Sequence, residues 1–231
     1  MKRLILLAAL LPQAAFAQGL PDLAGGLGEN AVLLMVAMTA LSLAPAIAIM
    51  VTAFPFIVTV LSILRQAIGL QQAPPNMLIV SLAIFLTWFI MDPVLRDAWD
   101  VAGAPLQAGT IGIAEAFERG IVPFQSFMMA RTDPGTLATM GDIAPGTDGA
   151  PDRLSVLVPA FMLSEIQRAF EIGFLIALPF LIIDLVVSAV LMSMGMMMVP
   201  PVVVSLPFKL AFFVAVDGWA MIAAALVRSY Q

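Results

Sequence analysis

Residues 172–198, IGFLIALPFLIIDLVVSAVLMSMGMMM, carry one charged side chain, Asp184, in 27 positions. A helix needs about 20 predominantly apolar residues to cross the hydrocarbon core of a bilayer. The stretch is therefore long enough for a membrane-spanning helix, although Pro179 lies inside it. It predicts an integral membrane protein.

The composition of the whole chain supports that class and excludes several functions. The 231 residues are 62% hydrophobic and 11% charged, with a mean hydropathy of +1.06. The chain has no Cys and no His, which excludes disulfides, Cys/His metal sites and His-dependent triads. Its net charge of −5 leaves no basic surface for nucleic acid. No nucleophile elbow, phosphate-binding loop or zinc-protease motif occurs, so we expect no enzyme and no cofactor.

Two further apolar segments precede the 96–153 region. Residues 31–64 hold no charge, and prolines interrupt them at Pro45 and Pro55. The run is either one long kinked helix or a broken helix folded into a hairpin. Residues 77–91 form a second run that we expect to stop at Asp92-Pro93, with Asp92 as a helix-end cap. This run is short for a crossing, which suggests shielding by protein.

The N-terminus has the pattern of a cleavable signal peptide. Lys2 and Arg3 precede an apolar core at 4–11, and Ala15-Phe16-Ala17 forms a cleavage site before Gln18. We predict cleavage between Ala17 and Gln18. The alternative is an uncleaved first helix. After cleavage, the mature N-terminus lies outside the cytoplasm.

These boundaries divide the chain into five parts. With the N-terminus outside and four crossings, the polar part lies on the periplasmic side, and we expect a helix there over 111–130. The parts are a signal peptide (1–17), an N-terminal loop (18–30), N-terminal apolar helices (31–95), a periplasmic-side polar segment (96–154), and an amphipathic helix with a C-terminal helical hairpin (155–231).

The C-terminal part begins with an amphipathic helix over 161–174, in which Phe161, Phe170 and Phe174 recur at helical spacing. It runs directly into the 172–198 segment, and a fourth apolar segment follows at 202–226. The expected fold class is therefore all-α, made of bent, proline-broken helical hairpins.

Three consecutive methionines, Met196, Met197 and Met198, precede Pro200 and Pro201. On a helix they would fan over roughly 200° and could not share a face. Because the prolines disfavour helix just before them, we expect the triplet in a tight connector. Methionine is flexible and polarizable, so a ring of these side chains could seal an aperture. The alternative is that they fill a core gap or face lipid.

Asp184, Lys209 and Asp217 lie inside apolar segments. A charge at the bilayer centre costs at least about 2.5–3.5 kcal/mol, so we expect buried charges with partners. Lys209 has three candidate partners: Glu165, Asp184 or a carboxylate of a neighbouring subunit. We favour a structural ion pair over a proton relay.

Two blocks, residues 161–219 and 41–94, resemble the FliP family of flagellar biosynthetic proteins. That family supplies the P subunit of the type III protein export gate, and a homologous subunit occurs in virulence injectisomes. The resemblance implies a non-enzymatic channel subunit in the bacterial inner membrane, within the flagellar basal body and raised toward the periplasm. The implied partners are other copies of the chain, FliQ-like and FliR-like subunits, further export apparatus membrane proteins, and unfolded secreted proteins. The implied assembly is a helical, conical oligomer.

The resemblance also implies roles for particular residues. It places a methionine gasket on Met196–Met198, an inter-subunit ion pair on Glu165 and Lys209, and a pore aromatic on Phe124. The signal peptide and the MVPP motif favour the flagellar branch over the injectisome branch. Two other functions stay open: a small-solute or ion-coupled transporter using Asp184 and Lys209, and a scaffold without pore contact.

Overall fold

A computed structural model of the chain describes residues 31, 35–36, 38–39, 42–69, 74–145, 153–196 and 198–230. Every regular element among these residues is helical, and none of them is in a strand. The predicted all-α class is therefore confirmed. The predicted signal peptide with Ala17 and Gln18, the 18–30 loop and Met197 lie outside the described residues.

The chain divides into two compact units, Met1–Ile47 and Ala48–Gln231. In the first, the described residues before α1 are helical and exposed, and Thr39 Oγ1 donates to the Met35 carbonyl at 2.8 Å. Every packing contact discussed below belongs to the second unit. The helices are α1 (Ser42–Met50), α2 (Phe54–Ile68), α3 (Asn76–Ala98), α4 (Ala104–Gln107), α5 (Ile113–Arg131), α6 (Pro134–Ile143), α7 (Leu154–Ser193), α8 (Pro201–Ala215) and α9 (Gly218–Arg228).

The core of the second unit forms around α2. Its fully buried side chains recur every three to four residues and include Phe56, Ile57, Val60 and Leu64. α7 packs directly on α2, and Gly173 permits the close approach, because a Cβ there would lie 2.5 Å from Ile63 Cδ1. A chain rich in apolar residues thus builds an internal core as well as apolar outer surfaces.

The uncharged 31–64 run is broken at residues 51–53, which separate α1 from α2. Pro55 stands in the first turn of α2, where a proline costs no intrahelical hydrogen bond. Pro45, by contrast, lies inside helix. Of the two prolines, only Pro55 marks the break.

The predicted stop of the second apolar run at Asp92-Pro93 is wrong. α3 continues through Pro93 to Ala98, and a π-helical turn, Trp99–Gly103, joins it to α4. Proline removes one intrahelical hydrogen bond, and α3 is helical both before and after Pro93. Asp92 is consequently not a cap. Its Oδ2 pairs with Arg96 Nη2 at 2.8 Å, one turn further along.

The polar segment holds the expected helix and one more. α5 covers the predicted 111–130 region within two residues at its start, as Ile113–Arg131. α6 was not predicted, although its start has a recognisable pattern. Asp133 caps it by accepting from the Thr136 N–H at 2.8 Å, and Pro134 occupies its first turn.

The amphipathic helix expected over 161–174 and the apolar segment after it form one helix, α7, of 40 residues. Pro159 and Pro179 lie inside it without ending it. At 1.5 Å per residue its length is about 60 Å, roughly twice the hydrocarbon thickness of a bilayer. The fourth apolar segment is two helices, α8 and α9, bent by 62°.

Within the described residues, two helical stretches are long and apolar enough to cross a membrane: Asn76–Gln107 and Leu154–Ser193. The number rises to four if α1 with α2, and α8 with α9, each count as one broken span. The sequence-based assignment to membrane proteins therefore agrees with the helices that form.

Candidate functional site

The methionine triplet follows the C-terminal end of α7, and the backbone there forms a Schellman motif. Gly195 has φ = 75°, the left-handed conformation that favours glycine. Its N–H donates to the Met192 carbonyl at 3.0 Å, and the Met196 N–H donates to the Leu191 carbonyl at 2.9 Å. These two bonds satisfy carbonyls that the end of a helix leaves without partners.

Met196 and Met198 therefore lie past the helix end, as predicted, but the cause differs from the expected one. α7 ends at Ser193, before the prolines can act, and Pro201 instead stands in the first turn of α8. Met196 is 41% exposed and Met198 is 97% exposed. The end of a long apolar helix thus presents unbranched apolar side chains on a short connector.

Lys209 of α8 is buried in a polar cluster with α7 and α2. Its Nζ lies 2.6 Å from Asp184 Oδ2 and donates to the Ala67 carbonyl at 3.1 Å. Ser205 Oγ donates to the other Asp184 oxygen at 2.6 Å. The buried ammonium thus has a carboxylate and a carbonyl as partners, which offsets the cost of removing it from water.

The Ala67 carbonyl belongs to the last turn of α2, which ends at Ile68. A cation near a helix C-terminus interacts favourably with the helix dipole and with the unpaired carbonyls there. Lys209 therefore connects the end of α2 to α7 and α8. Of the predicted partners for Lys209, the single chain supplies Asp184.

Glu165 lies at the centre of a second buried cluster. Its side chain is 0% exposed, and its Oε1 accepts from Arg131 Nε at 3.1 Å. Arg168 Nη1 lies 3.8 Å from the same oxygen, and the Tyr230 hydroxyl donates to Oε2. Arg131 also donates to the Ser229 carbonyl at 2.7 Å. Two arginines and a phenol therefore neutralise and satisfy one buried carboxylate.

The ring of Tyr230 closes this cluster. The Arg131 guanidinium carbon lies 3.9 Å from the ring centroid, a cation–π contact. Phe127 stacks on the ring at 6.0 Å and Phe56 meets it edge-on at 5.4 Å. Burial, followed by the neighbouring Glu165 charge, raises the pKa of Tyr230. The phenol therefore stays protonated and remains a donor to Glu165.

Glu165 and Lys209 are thus each paired with other groups in the described part of this single chain. An ion pair between them across two subunits stays a prediction. It requires Glu165 and Lys209 to leave their partners within the chain or to share each other with those partners.

The other predicted site residues have different environments. Asp184 is partly buried, as expected for a paired charge. Asp217 is exposed in the single chain, which differs from the predicted burial, because the chain turns there with φ = 51° between α8 and α9. Phe124 is half-buried and packs against a cluster that includes Leu157 and Phe161. Its role as a pore aromatic stays a prediction.

Sequence reasoning missed four contributors: Gly195, Ser205, Arg131 and Tyr230. A glycine just beyond a periodic apolar segment is a known helix-stop pattern, so Gly195 could have been found. Arg131 and Tyr230 are 34 and 65 residues from Glu165, and no local pattern reveals such pairs.

Among the described residues, no group of three or more acidic side chains is arranged to hold a metal ion.

Comparison with known proteins identifies the family. The model of the FliP family matches residues 37–226. The flagellar biosynthetic protein FliP of Caulobacter vibrioides is 49% identical over 96% of this chain and 86% of its own length. The FliP proteins of Agrobacterium fabrum and Bacillus subtilis are 49% and 44% identical, over 84% and 87% of this chain and 81% and 93% of theirs.

A match over most of the chain, together with these identities, extends well beyond the two sequence blocks at 41–94 and 161–219. It includes α5 and α6, which those blocks do not contain. The chain therefore belongs to the FliP family of flagellar biosynthetic proteins.

Proposed function

We propose that this chain is a pore-forming core subunit of the flagellar type III export gate. In this proposal, several copies assemble with FliQ-like and FliR-like subunits in the bacterial inner membrane. Unfolded flagellar proteins pass through the assembly, much of which lies on the periplasmic side. Membership of a flagellar biosynthetic family, in a chain with membrane-length apolar helices, supports a role in flagellar protein export.

The observation that carries the proposal is the exposed methionine connector after α7. Met196 and Met198 lie beyond a helix end with large exposed fractions, where neither helix nor core packing fixes their side chains. Flexible, polarizable side chains adapt to irregular surfaces. Repeated around an axis, Met196, Met197 and Met198 would form a soft constriction that excludes ions and still yields to a passing polypeptide.

The length of α7 supports an assembled state. Its length of roughly 60 Å is about twice the hydrocarbon thickness of a bilayer, so that thickness can cover only about half of the helix. Exposed large apolar side chains nevertheless continue along it, from Leu163 and Phe170 to Val190. Lipid can cover only part of such a helix, and other copies or partner subunits would cover the remainder.

The buried charges support a structural role. Lys209 and Asp184 neutralise each other, and Ser205 satisfies the remaining carboxylate oxygen. A transport site for a small solute would favour polar groups left open to a ligand. We therefore assign the pair to helix registry, with no catalytic step in the chain.

The flagellar relatives favour the flagellar gate over an injectisome gate.

The test replaces Met196, Met197 and Met198 with Ala in the purified gate complex and measures its resting conductance in planar bilayers. We expect the Ala variants to conduct small ions and the unmodified complex to stay closed. Replacing the same residues with Leu, which keeps apolar volume, is the matched control and should leak less. Unchanged conductance in every Ala variant would reject the gasket.

A second measurement separates a pore subunit from a scaffold. A photocrosslinker at Met198 should react with a stalled export substrate, whereas one at the exposed Ile113 of α5 reports background labelling. Equal labelling at both positions would favour the scaffold. Native mass spectrometry of the same complex checks the proposed partner subunits.

A further inference from the structure

We propose that Gly195 positions the methionine connector, and that its left-handed backbone is required to keep the pore closed. The inference rests on the proposed function and adds to it the residue that holds the constriction in shape. Gly195 contributes no side chain to a seal, so its role is indirect. It would act on Met196 and Met198 through the backbone alone.

The first step is the backbone conformation. Gly195 has φ = 75°. This conformation raises the free energy of any residue that has a Cβ, whereas glycine adopts it without that penalty. The hydrogen bond from the Met196 N–H to the Leu191 carbonyl depends on it, because this conformation turns the Met196 N–H back onto α7.

The second step is that the effect of a substitution there is local. A Cβ on Gly195 would meet no atom within 4 Å. Replacing it therefore creates no clash with another part of the chain. Within the chain, the effect of Gly195→Ala comes from the backbone preference, which makes this position a probe of connector shape.

The third step is what the conformation holds in place. The Met196 N–H donates to the Leu191 carbonyl at 2.9 Å, and Leu191 is buried, so this bond ties the backbone of Met196 to the end of α7. The connector then turns again, with the Val199 N–H donating to the Met196 carbonyl at 3.4 Å, before α8 begins at Pro201. Met198 is 97% exposed, so packing within the chain does not fix it. Backbone geometry at Gly195 therefore sets where Met196 lies and the direction in which the connector leaves α7.

The experiment compares Gly195→Asn, Gly195→Ala and Gly195→Val in the complete gate complex. Asparagine tolerates the left-handed region, alanine less so and a β-branched residue least. A penalty of this kind lowers the ratio of native to altered connector conformations roughly 5- to 30-fold for alanine. We expect resting potassium chloride conductance in planar bilayers to rise in the order Asn, Ala, Val, with Asn close to the unmodified complex.

Gly109 supplies a matched control. It has φ = 69° and open space around it, and it ends α4 with the same pair of hydrogen bonds, to the Leu106 and Pro105 carbonyls. Gly109→Ala therefore introduces an equivalent penalty far along the chain from the methionines. We expect it to leave conductance unchanged, with complex yield checked by native mass spectrometry.

The outcomes separate this inference from the proposed function. If the Met→Ala complexes leak and Gly195→Val does not, the positioning role is wrong and the gasket stands. If the Met→Ala complexes do not leak, the gasket itself fails. Equal leak from Gly195→Ala and Gly109→Ala, or no rescue by Gly195→Asn, would also overturn the positioning role.

Discussion

Lys209 Nζ lies 2.6 Å from Asp184 Oδ2, and the same ammonium donates to the last turn of α2 through the Ala67 carbonyl. The two charged residues are 25 positions apart, on α8 and α7. One cation thus joins three helices. We expect the pair to fix the axial registry of α7 and α8, because moving either helix by a turn would leave a buried charge without a partner.

Removing one member of this pair should destabilise the protein more than removing both. Lys209→Met leaves Asp184 unpaired, and we expect a loss of about 3 kcal/mol, the lower end for a broken buried pair because the Asp184 side chain is 30% exposed. Lys209→Met with Asp184→Leu should recover most of it, since apolar replacement of both partners is often neutral. Thermal unfolding in detergent measures all three proteins. A double variant less stable than the single one would contradict the registry role.

Charge exchange distinguishes the pair within the chain from the predicted pair between subunits. Lys209→Glu should impair both folding and assembly. If Asp184 is the functional partner, adding Asp184→Lys restores the folded subunit. If Glu165 of a neighbouring copy is the partner, Glu165→Lys restores assembly. Yield of intact complex by native mass spectrometry decides between the two, and rescue by Glu165→Lys alone would show that Lys209 changes partners on assembly.

Tyr230 should stabilise the subunit through its hydroxyl as well as its ring. Tyr230→Phe keeps the stacking on Phe127 but removes a donor to the buried Glu165 carboxylate, for which we expect a loss of about 1–3 kcal/mol. Ser229→Ala is the matched control, since Arg131 bonds the backbone carbonyl of that residue and not its side chain. Thermal unfolding of the two variants should differ clearly, and equal stability would remove Tyr230 from the cluster.

Gly173 should tolerate no larger residue while Ile63 is present. Gly173→Ala places a Cβ 2.5 Å from Ile63 Cδ1, and overpacking of this kind costs about 1–3 kcal/mol. Adding Ile63→Ala makes room and should reverse part of the loss. Gly141→Ala in α6, where a Cβ meets no atom within 4 Å, is the control and should be neutral or stabilising. Denaturation in detergent compares the set.

The start of α6 should weaken in acid. The Asp133 carboxylate accepts hydrogen bonds from the Thr136 N–H and hydroxyl, and these bonds lower the pKa of Asp133. A lowered pKa in the folded state means that the stabilisation is present above the ordinary aspartate pKa and is lost as pH falls through the lowered value. Hydrogen exchange over 134–143, corrected for intrinsic rates, should show more opening at low pH. Asp133→Asn should remove that pH dependence, and an unchanged profile would assign it to another group.

The elements that the sequence predicted correctly are those with a local pattern. Sequence analysis placed a helix at 111–130, and apolar periodicity placed the helix at 161–174 that became part of α7. The expected stop at Pro93 is wrong, since α3 continues past that residue despite a proline penalty of a few kcal/mol. Gly195 was overlooked beside the more conspicuous prolines, although its left-handed conformation closes the end of α7.

The site divides in the same way. The position of Met196 beyond a helix end, and the need for partners at Lys209 and Asp184, follow from residue types and spacing. The partners of Glu165 do not, because Arg131 and Tyr230 come from distant parts of the chain. A buried carboxylate accepts any donor that the fold brings within reach, and local sequence carries no information about which one that is.

The sequence alone determined that the protein is helical, apolar and membrane-embedded. The reason is that composition and the length of the apolar segments determine how much apolar surface must be removed from water. Tertiary structure decided which charges pair and which glycine allows α7 to approach α2. The physical reason is that burial depends on residue type, whereas hydrogen bonds and ion pairs depend on distances of a few ångströms between residues far apart in the chain.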